Sequence, residues 1–263
     1  MAELAVRNLS VTFGRGSKTI NAVDDVSFTV PSGSIVGLVG ESGSGKSTIA
    51  RAVVGLQAVS GGSITIDGRQ LTDLRRGSRI EHAGLVQMIF QDPFSSLNPR
   101  MTVAETLAEI LALHSPQSSA ARRASVDELL DLVRLRRSAA SLLPSRMSGG
   151  MRQRVAIARA LAARPRLIVA DEITSALDAS VQASVLNLLG ELRRDLGLTM
   201  LFITHNLAVV RYIADETVVL NRGRVVESGP SDALIACPAE PYTRALVAAV
   251  PRMENAGRDI LLR

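Results

Sequence analysis

The chain has 263 residues, 46% of them hydrophobic and 3% aromatic, a formal net charge of +5 and a pI of about 10.3. This is ample for one large domain, or a domain with a subdomain, while no apolar run approaches the ~18 residues a membrane helix needs and the start does not read as a signal peptide. One cysteine, Cys237, excludes an internal disulfide and a cysteine-ligated cluster. The positive charge has three readings, an arginine-rich solvated exterior, which is favoured, a nucleic-acid surface and an anionic membrane surface, and the scarcity of aromatics argues against base stacking.

Leu4 to Phe13 and Ala22 to Val30 read as strands around a Gly14-Arg15-Gly16-Ser17 turn. Phe13 has two readings, core or edge packing and an aromatic face stacked on a base; spacing alone favours packing. The apolar run Ile35 to Val39 then leads into Gly40-Glu41-Ser42-Gly43-Ser44-Gly45-Lys46-Ser47-Thr48, and Ile49 to Val54 reads as helix. Strand, glycine-rich turn and helix opening on Lys-Ser/Thr is the context of a phosphate-binding P-loop. Glycines let the backbone curl around a phosphate, and its N–H groups form an anion nest at a helix N-terminus. Lys46 would reach the β- and γ-phosphates, and the Ser47 hydroxyl would ligate Mg²⁺. Only two lysines occur, Lys18 and Lys46, and one stands where a compact ammonium suits the phosphates.

Gly61 to Ile66 reads as a short strand ending in an Asp67-Gly68 turn, and Arg69 to Glu81 as a loop with a short helix. Leu85 to Phe90 reads as a buried strand ending at Gln91, whose side-chain carbonyl could ligate Mg²⁺ or hold water. A proline-broken loop follows to Pro99. Thr102 to His114 predicts a helix with Thr102 as N-cap and Glu105 in capping-box position. Ala120 to Leu135 predicts a second, with Val126, Leu129, Leu130 and Val133 on one face, and Ser138 to Leu143 a short one stopped by Pro144. Residues 100–163 thus read as helices without a strand, an inserted helical subdomain.

Ser148-Gly149-Gly150 opens the next helix, to Ala163. A capped start with bared backbone is either a second anion site or a helix start whose glycines serve packing. Leu167 to Ala170 is an apolar strand ending in Asp171 and Glu172, at the sheet end where parallel α/β folds place their sites. Asp171 would hold Mg²⁺, and Glu172 would orient an attacking water. Ser175 to Asp178 reads as a turn before a helix from Ala179 to Leu196. Met200 to Ile203 is a buried strand ending at Thr204-His205, where the imidazole N–H could contact a γ-phosphate or the attacking water. Val218 to Leu220 and Arg224 to Glu227 form a hairpin, Ser231 to Ala236 and Pro241 to Val250 short helices, and residues 251–263 a tail.

The order and spacing of these motifs resemble the ATP-binding subunit of ABC transporters, over about residues 4–250. The resemblance implies an α/β fold: a P-loop NTPase core of mostly parallel sheet, an antiparallel β subdomain and the inserted helical subdomain, as a single domain over residues 1–250. It makes Phe13 the adenine-stacking aromatic, Gln91 the Q-loop glutamine and His205 the switch histidine. Gln91, Glu172 and His205 become the catalytic set, and Ser47, Gln91 and Asp171 the Mg²⁺ set. Ser148, Gly149 and Gly150 become the signature that, with Asp178, completes the ATP pocket of a partner subunit. The partner is a second ATPase subunit, identical or homologous, in a head-to-tail dimer closed by ATP.

Three stretches, Gln91 to Arg100, Ser148 to Arg154 and Glu240 to Leu246, are similar to the ATPases of dipeptide, oligopeptide and nickel importers. That implies transmembrane permease subunits as partners, an extracytoplasmic binding protein that delivers substrate, and a peripheral place on the cytoplasmic face of the membrane. The sequence departs from the family pattern at Met147, Ile173, Asn206 and Glu240, none of which removes a group that touches phosphate or water. The alternative is a non-transport ABC ATPase acting on nucleic acid or ribosomes. Such proteins carry two cassettes or a long internal coiled coil, for which Gln91 to Ser148 leaves no room, and no nucleic acid is expected.

Overall fold

In the computed structural model, residues 3–14, 19–71, 84–92, 96–114, 118–175 and 177–249 are described. The strands are β1 Leu4–Phe13, β2 Ile20–Val30, β3 Ile35–Val39, β4 Gly61–Ile66, β5 Arg69–Gln70, β6 Val86–Ile89, β7 Leu167–Asp171, β8 Thr199–Thr204, β9 Glu216–Asn221 and β10 Arg224–Pro230. The α-helices are α1 Lys46–Val53, α2 Val103–His114, α3 Ser119–Leu132, α4 Gly149–Ala162, α5 Ala179–Leu196, α6 Leu207–Ile213, α7 Ser231–Ala236 and α8 Pro241–Ala249.

Every residue of β3, β7 and β8 is buried, as expected of parallel strands covered on both faces. They form the middle of a six-stranded sheet of order β10-β9-β3-β8-β7-β6. Alternate side chains enter two separate cores. Ile35, Val39, Ile168, Ala170, Met200 and Phe202 face the helices, while Val36, Leu38, Leu167, Val169, Leu201 and Ile203 face α1 and a second sheet. That second sheet is antiparallel, of order β2-β1-β4-β5. Its outer strand β5 was not expected. The Asp67-Gly68 turn has positive φ at both residues, 49° and 74°, which suits a two-residue hairpin and returns Arg69 and Gln70 to pair with Ile66 and Thr65.

Between β6 and β7 the described residues contain helices and no strand. The capping box at the start of α2 forms: Thr102 N–H donates to Glu105 Oε2 at 2.7 Å and Glu105 N–H to Thr102 Oγ1 at 3.3 Å. Val126, Leu129, Leu130 and Val133 are buried together. The segment before Pro144 is the 3₁₀ turn Arg137–Ser141, and Pro144 itself opens another, Pro144–Arg146. The short helix expected before Glu81, the turn residues 15–18, Pro93 to Ser95 and the tail 251–263 lie outside the described residues.

The registers decide where the site falls. Val39 pairs with Thr204 and Val219, Ile203 with Asp171, and Ala170 with Ile89. Four parallel strands therefore end in step, and the next residues along the chain, Gly40, His205, Glu172 and, two further from Ile89, Gln91, emerge on one edge.

Candidate nucleotide site at the strand ends

The phosphate-loop candidate sits where β3 turns into α1. A Cβ at Gly40 would lie 2.1 Å from the Leu220 carbonyl oxygen, and one at Gly45, where φ is 107°, would lie 2.5 Å from the Ala22 carbonyl oxygen. Both positions are closed to any side chain. The hairpin between β9 and β10 backs the loop, with Gly223 N–H donating to the Ser44 carbonyl at 2.9 Å. No side chain caps α1, whereas Ser118, Ser148, Asp178 and Asn206 each accept a first-turn N–H of their own helices. Helix α1 thus keeps its first-turn donors for something else, and an anion is the group they suit.

Lys46 is 5% exposed. Its Nζ donates to the carbonyl oxygens of Gly40 and Glu41, both at 2.8 Å, and lies 3.4 Å from Ser44 Oγ. Burial pulls its pKa below the ordinary lysine value, against the opposing charges of Glu172, Asp171 and Glu41. The ammonium is therefore held at the mouth of the loop, short of full hydration, and gains from any phosphate that arrives.

Ser47 Oγ donates to Asp171 Oδ1 at 3.4 Å. Asp171 is buried, which raises its pKa, while the Ser47 hydrogen bond, Arg51 and Lys46 lower it and Glu172 raises it further. A hydroxyl and a carboxylate that face each other this way are hard oxygen donors, few enough to leave room for phosphate and water around a Mg²⁺ ion. Among the described residues no cluster of three or more His, Cys, Asp or Glu could hold a metal by itself.

Glu172 stands beyond the end of β7 with φ 47°, in the left-handed region. Its N–H donates to the Ile203 carbonyl at 2.9 Å, and its own carbonyl accepts from Ser175 Oγ at 2.9 Å. That conformation costs on the order of 1–3 kcal/mol and aims the side chain along the sheet edge. There Gln91 Nε2 donates to Glu172 Oε2 at 3.2 Å, and His205 Nδ1 lies 3.4 Å from the same oxygen.

Phe13 is 43% exposed at the end of β1 and belongs to neither core, which corrects the core reading and leaves edge packing and an offered ring face. Ser148 Oγ accepts from Met151 N–H at 3.3 Å, so one donor of the helix start beside Gly149 and Gly150 is already used. Gly150 lies against α5, where a Cβ would approach Val181 Cγ1 to 2.7 Å, and Asp178 caps α5 through Val181 N–H at 2.9 Å. The signature candidates and Asp178 thus stand side by side. Among the described residues no hydrogen bond joins 148–150 to the loop 40–48.

The four departures are accommodated. Met147 and Ile173 are buried in the helix-side core, and Asn206 caps α6, accepting from Ala208 N–H at 2.9 Å. Glu240 N–H donates to Glu227 Oε2 at 3.2 Å. One contact was not foreseen: Glu41 N–H in the loop donates to the Tyr242 hydroxyl of α8 at 3.0 Å. Its only advance signal was that Tyr242 belongs to the C-terminal stretch similar to the importer ATPases.

Comparison with known proteins agrees with this geometry. Residues 23–175 match the family model described as ABC transporter. The oligopeptide transport ATP-binding protein OppF of Streptococcus mutans is 46% identical over 94% of this chain and 80% of its own length. OppF of Bacillus subtilis is 45% identical over 94% of this chain and 82% of its own. Among solved structures, the ATP-binding cassette MJ0796, dimeric in a post-hydrolysis state with ADP and Pi bound, is similar with a TM-score of 0.78 at 31% identity, over 87% of this chain and 98% of that one. With its phosphate loop, its strand-end acids and these relatives, the chain belongs to the ABC transporter family and is an ATPase of that family.

Proposed function

We propose that this chain is the ATP-hydrolysing subunit of a peptide importer. The observation that carries this reading is the meeting of Lys46, Ser47, Asp171, Glu172, Gln91 and His205 at the ends of parallel strands in register, in a chain similar over most of its length to oligopeptide transport ATP-binding proteins. Residues 1–250 would work as one ATPase domain, with about 100–163 as the helical insert.

In this reading the loop 40–48 and the open start of α1 take the phosphates, Lys46 exchanges its two carbonyl partners for phosphate oxygens, and the exposed ring of Phe13 receives the adenine. Ser47, Asp171 and the Gln91 carbonyl oxygen would hold Mg²⁺, which would supply charge neutralisation for the phosphates. Glu172 orients the attacking water and accepts its proton, and His205 supports that arrangement from the neighbouring strand. A lone chain leaves the pocket unfinished. Ser148, Gly149, Gly150 and Asp178 would complete the pocket of a second, identical or homologous ATPase subunit in a head-to-tail dimer.

Permease subunits would meet the chain beside Gln91. A groove of about 350 Å³ lies there, lined in part by Leu56, Met88, Phe90, Ile110, Glu109 and Arg159, with Leu56 and Phe90 exposed. Among the described residues no helix is long and apolar enough to cross a membrane. As in an importer of the kind its relatives are named for, the chain would sit peripherally on the cytoplasmic face, under permeases fed by an extracytoplasmic binding protein. The test is to copurify the complex, reconstitute it in vesicles and compare ligands. Stimulation of ATPase by short peptides is the expected result. Stimulation by nickel alone would overturn the peptide assignment, and stimulation by nucleic acid without permeases would overturn the transport reading.

A further inference from the structure

The phosphate loop is tied to the far end of the chain through a single peptide unit. In the unit joining Gly40 to Glu41, the carbonyl accepts from Lys46 Nζ at 2.8 Å and the N–H donates to the Tyr242 hydroxyl at 3.0 Å. One plane therefore carries the phosphate-binding lysine on one side and the C-terminal helix on the other. Its tilt cannot change without disturbing both bonds, and bonds in series through an amide polarise one another.

Tyr242 is itself well anchored. Glu227 of β10 accepts the N–H groups of Ala239 and Glu240, at 2.8 and 3.2 Å, just ahead of α8. Arg244 donates to the carbonyl of Ala239 at 2.8 Å. Tyr242, Leu246 and Val247 pack on the helix-side core. The other leg of the loop is held from outside by Gly223 through the Ser44 carbonyl, and Tyr242 braces the entry leg from outside in the same way.

We infer that Tyr242 is a positioning residue for ATP binding: its hydroxyl fixes the Gly40–Glu41 peptide, and through it the place from which Lys46 moves onto the phosphates. The inference rests on the ATPase reading above. Tyr242 touches no reacting atom, so it should act on affinity and leave the chemical step alone.

The test is Tyr242→Phe, which keeps the ring and removes only the hydroxyl. In the full-length chain, ATP binding followed by calorimetry should weaken by about two- to tenfold, the span of one neutral hydrogen bond. In the complex assembled with its permeases, KM for ATP should rise by the same factor with kcat at saturation unchanged within about twofold. The Glu41 amide should exchange its hydrogen faster, while the Gly223 amide, which donates to the Ser44 carbonyl, stays as in wild type. Glu227→Gln, which weakens the anchor of α8 without touching the loop or Tyr242, should shift KM in the same direction by a smaller factor. Unchanged affinity with Glu41 still protected would overturn the inference, and so would a fall in kcat at constant KM, or an affinity loss matched by a lower unfolding midpoint. Lys46→Ala separates the two levels. If ATP binding is lost in Lys46→Ala and intact in Tyr242→Phe, only the brace fails. If the wild-type chain binds no ATP, the ATPase reading fails with it.

Discussion

Gln91 and His205 converge on a single atom. Gln91 Nε2 lies 3.2 Å and His205 Nδ1 3.4 Å from Oε2 of Glu172. With these partners the carboxylate is held in place and its Oε2 is occupied. The two neighbouring strand ends thereby orient the Glu172 carboxylate from both sides.

Glu172→Gln tests the base directly. The amide keeps the size and most hydrogen bonds but accepts no proton. We expect ATP binding within about threefold of wild type and hydrolysis by the assembled complex reduced by about 10²–10⁴-fold, the usual worth of a positioned acid or base. Single-turnover kinetics with the partner subunit present measure this. Turnover at the wild-type rate would remove Glu172 from the role.

The burial of Asp171 makes a stability prediction of definite sign. Its pKa is raised above the ordinary 3.8, first of all by desolvation. The folded chain therefore holds this proton more tightly than the unfolded chain. The associated stability is complete below about pH 3.8 and is lost as pH rises through the higher folded value. At pH 7 the nucleotide-free chain thus carries the cost of a buried carboxylate. Asp171→Asn should raise its unfolding midpoint by about 2–4 °C, the response of a domain this size to about 1 kcal/mol, and the gain should shrink as pH falls toward 4. The same variant should lose Mg²⁺-dependent hydrolysis. A midpoint below wild type at pH 7 would contradict the argument.

Two glycines of one loop should respond differently to alanine. At Gly43, φ is 80° and nothing lies within 4 Å of an added Cβ, so Gly43→Ala costs only the left-handed conformation, about 1–2 kcal/mol. At Gly45 the added Cβ also collides with the Ala22 carbonyl of β2, and overpacking adds about 1–3 kcal/mol. Denaturant unfolding of the two variants should rank them in that order, and equal midpoints would show that β2 yields freely.

Ser148→Arg tests whether sites are shared. In a mixed dimer with one mutant subunit, ATP binding at the mutant's own phosphate loop should persist while hydrolysis at the partner's loop falls. The variant also loses a helix cap worth about 1 kcal/mol, so its folding is checked alongside by circular dichroism. Binding lost at its own loop, with the fold intact, would argue for self-contained sites.

Much of this was legible in the sequence because it is local. The capping box at Thr102 and Glu105, the N-cap at Ser148, and the hairpin at Asn221 to Gly223 are signatures within a few residues, and each forms. The buried strands announced themselves as unbroken apolar runs. Strand β5 was missed because Arg69 and Gln70 are both exposed and two residues carry no periodicity. The exposure of Phe13 was misjudged from spacing because the pattern of β1 cannot say where its sheet ends. The Tyr242 bond to Glu41 spans 201 residues, and no sequence pattern encodes which backbone amide a distant hydroxyl will meet. The shared oxygen of Glu172 lies between these cases: the strand ends named its residues, but only the parallel registers bring them to one atom.

Gly223 has a larger consequence than its size suggests. Its N–H holds the phosphate loop at Ser44, and its carbonyl accepts from Asp24 N–H of β2 at 2.8 Å. The antiparallel sheet that ends in Phe13 and the loop that ends in Lys46 are thereby tied to the same residue. In the proposed function, the elements that would receive the base and the phosphates are thus joined through one backbone residue. Telling ATP from ADP would then fall to the groups placed to meet a γ-phosphate, Lys46 in the loop and Gln91, Glu172 and His205 at the strand ends.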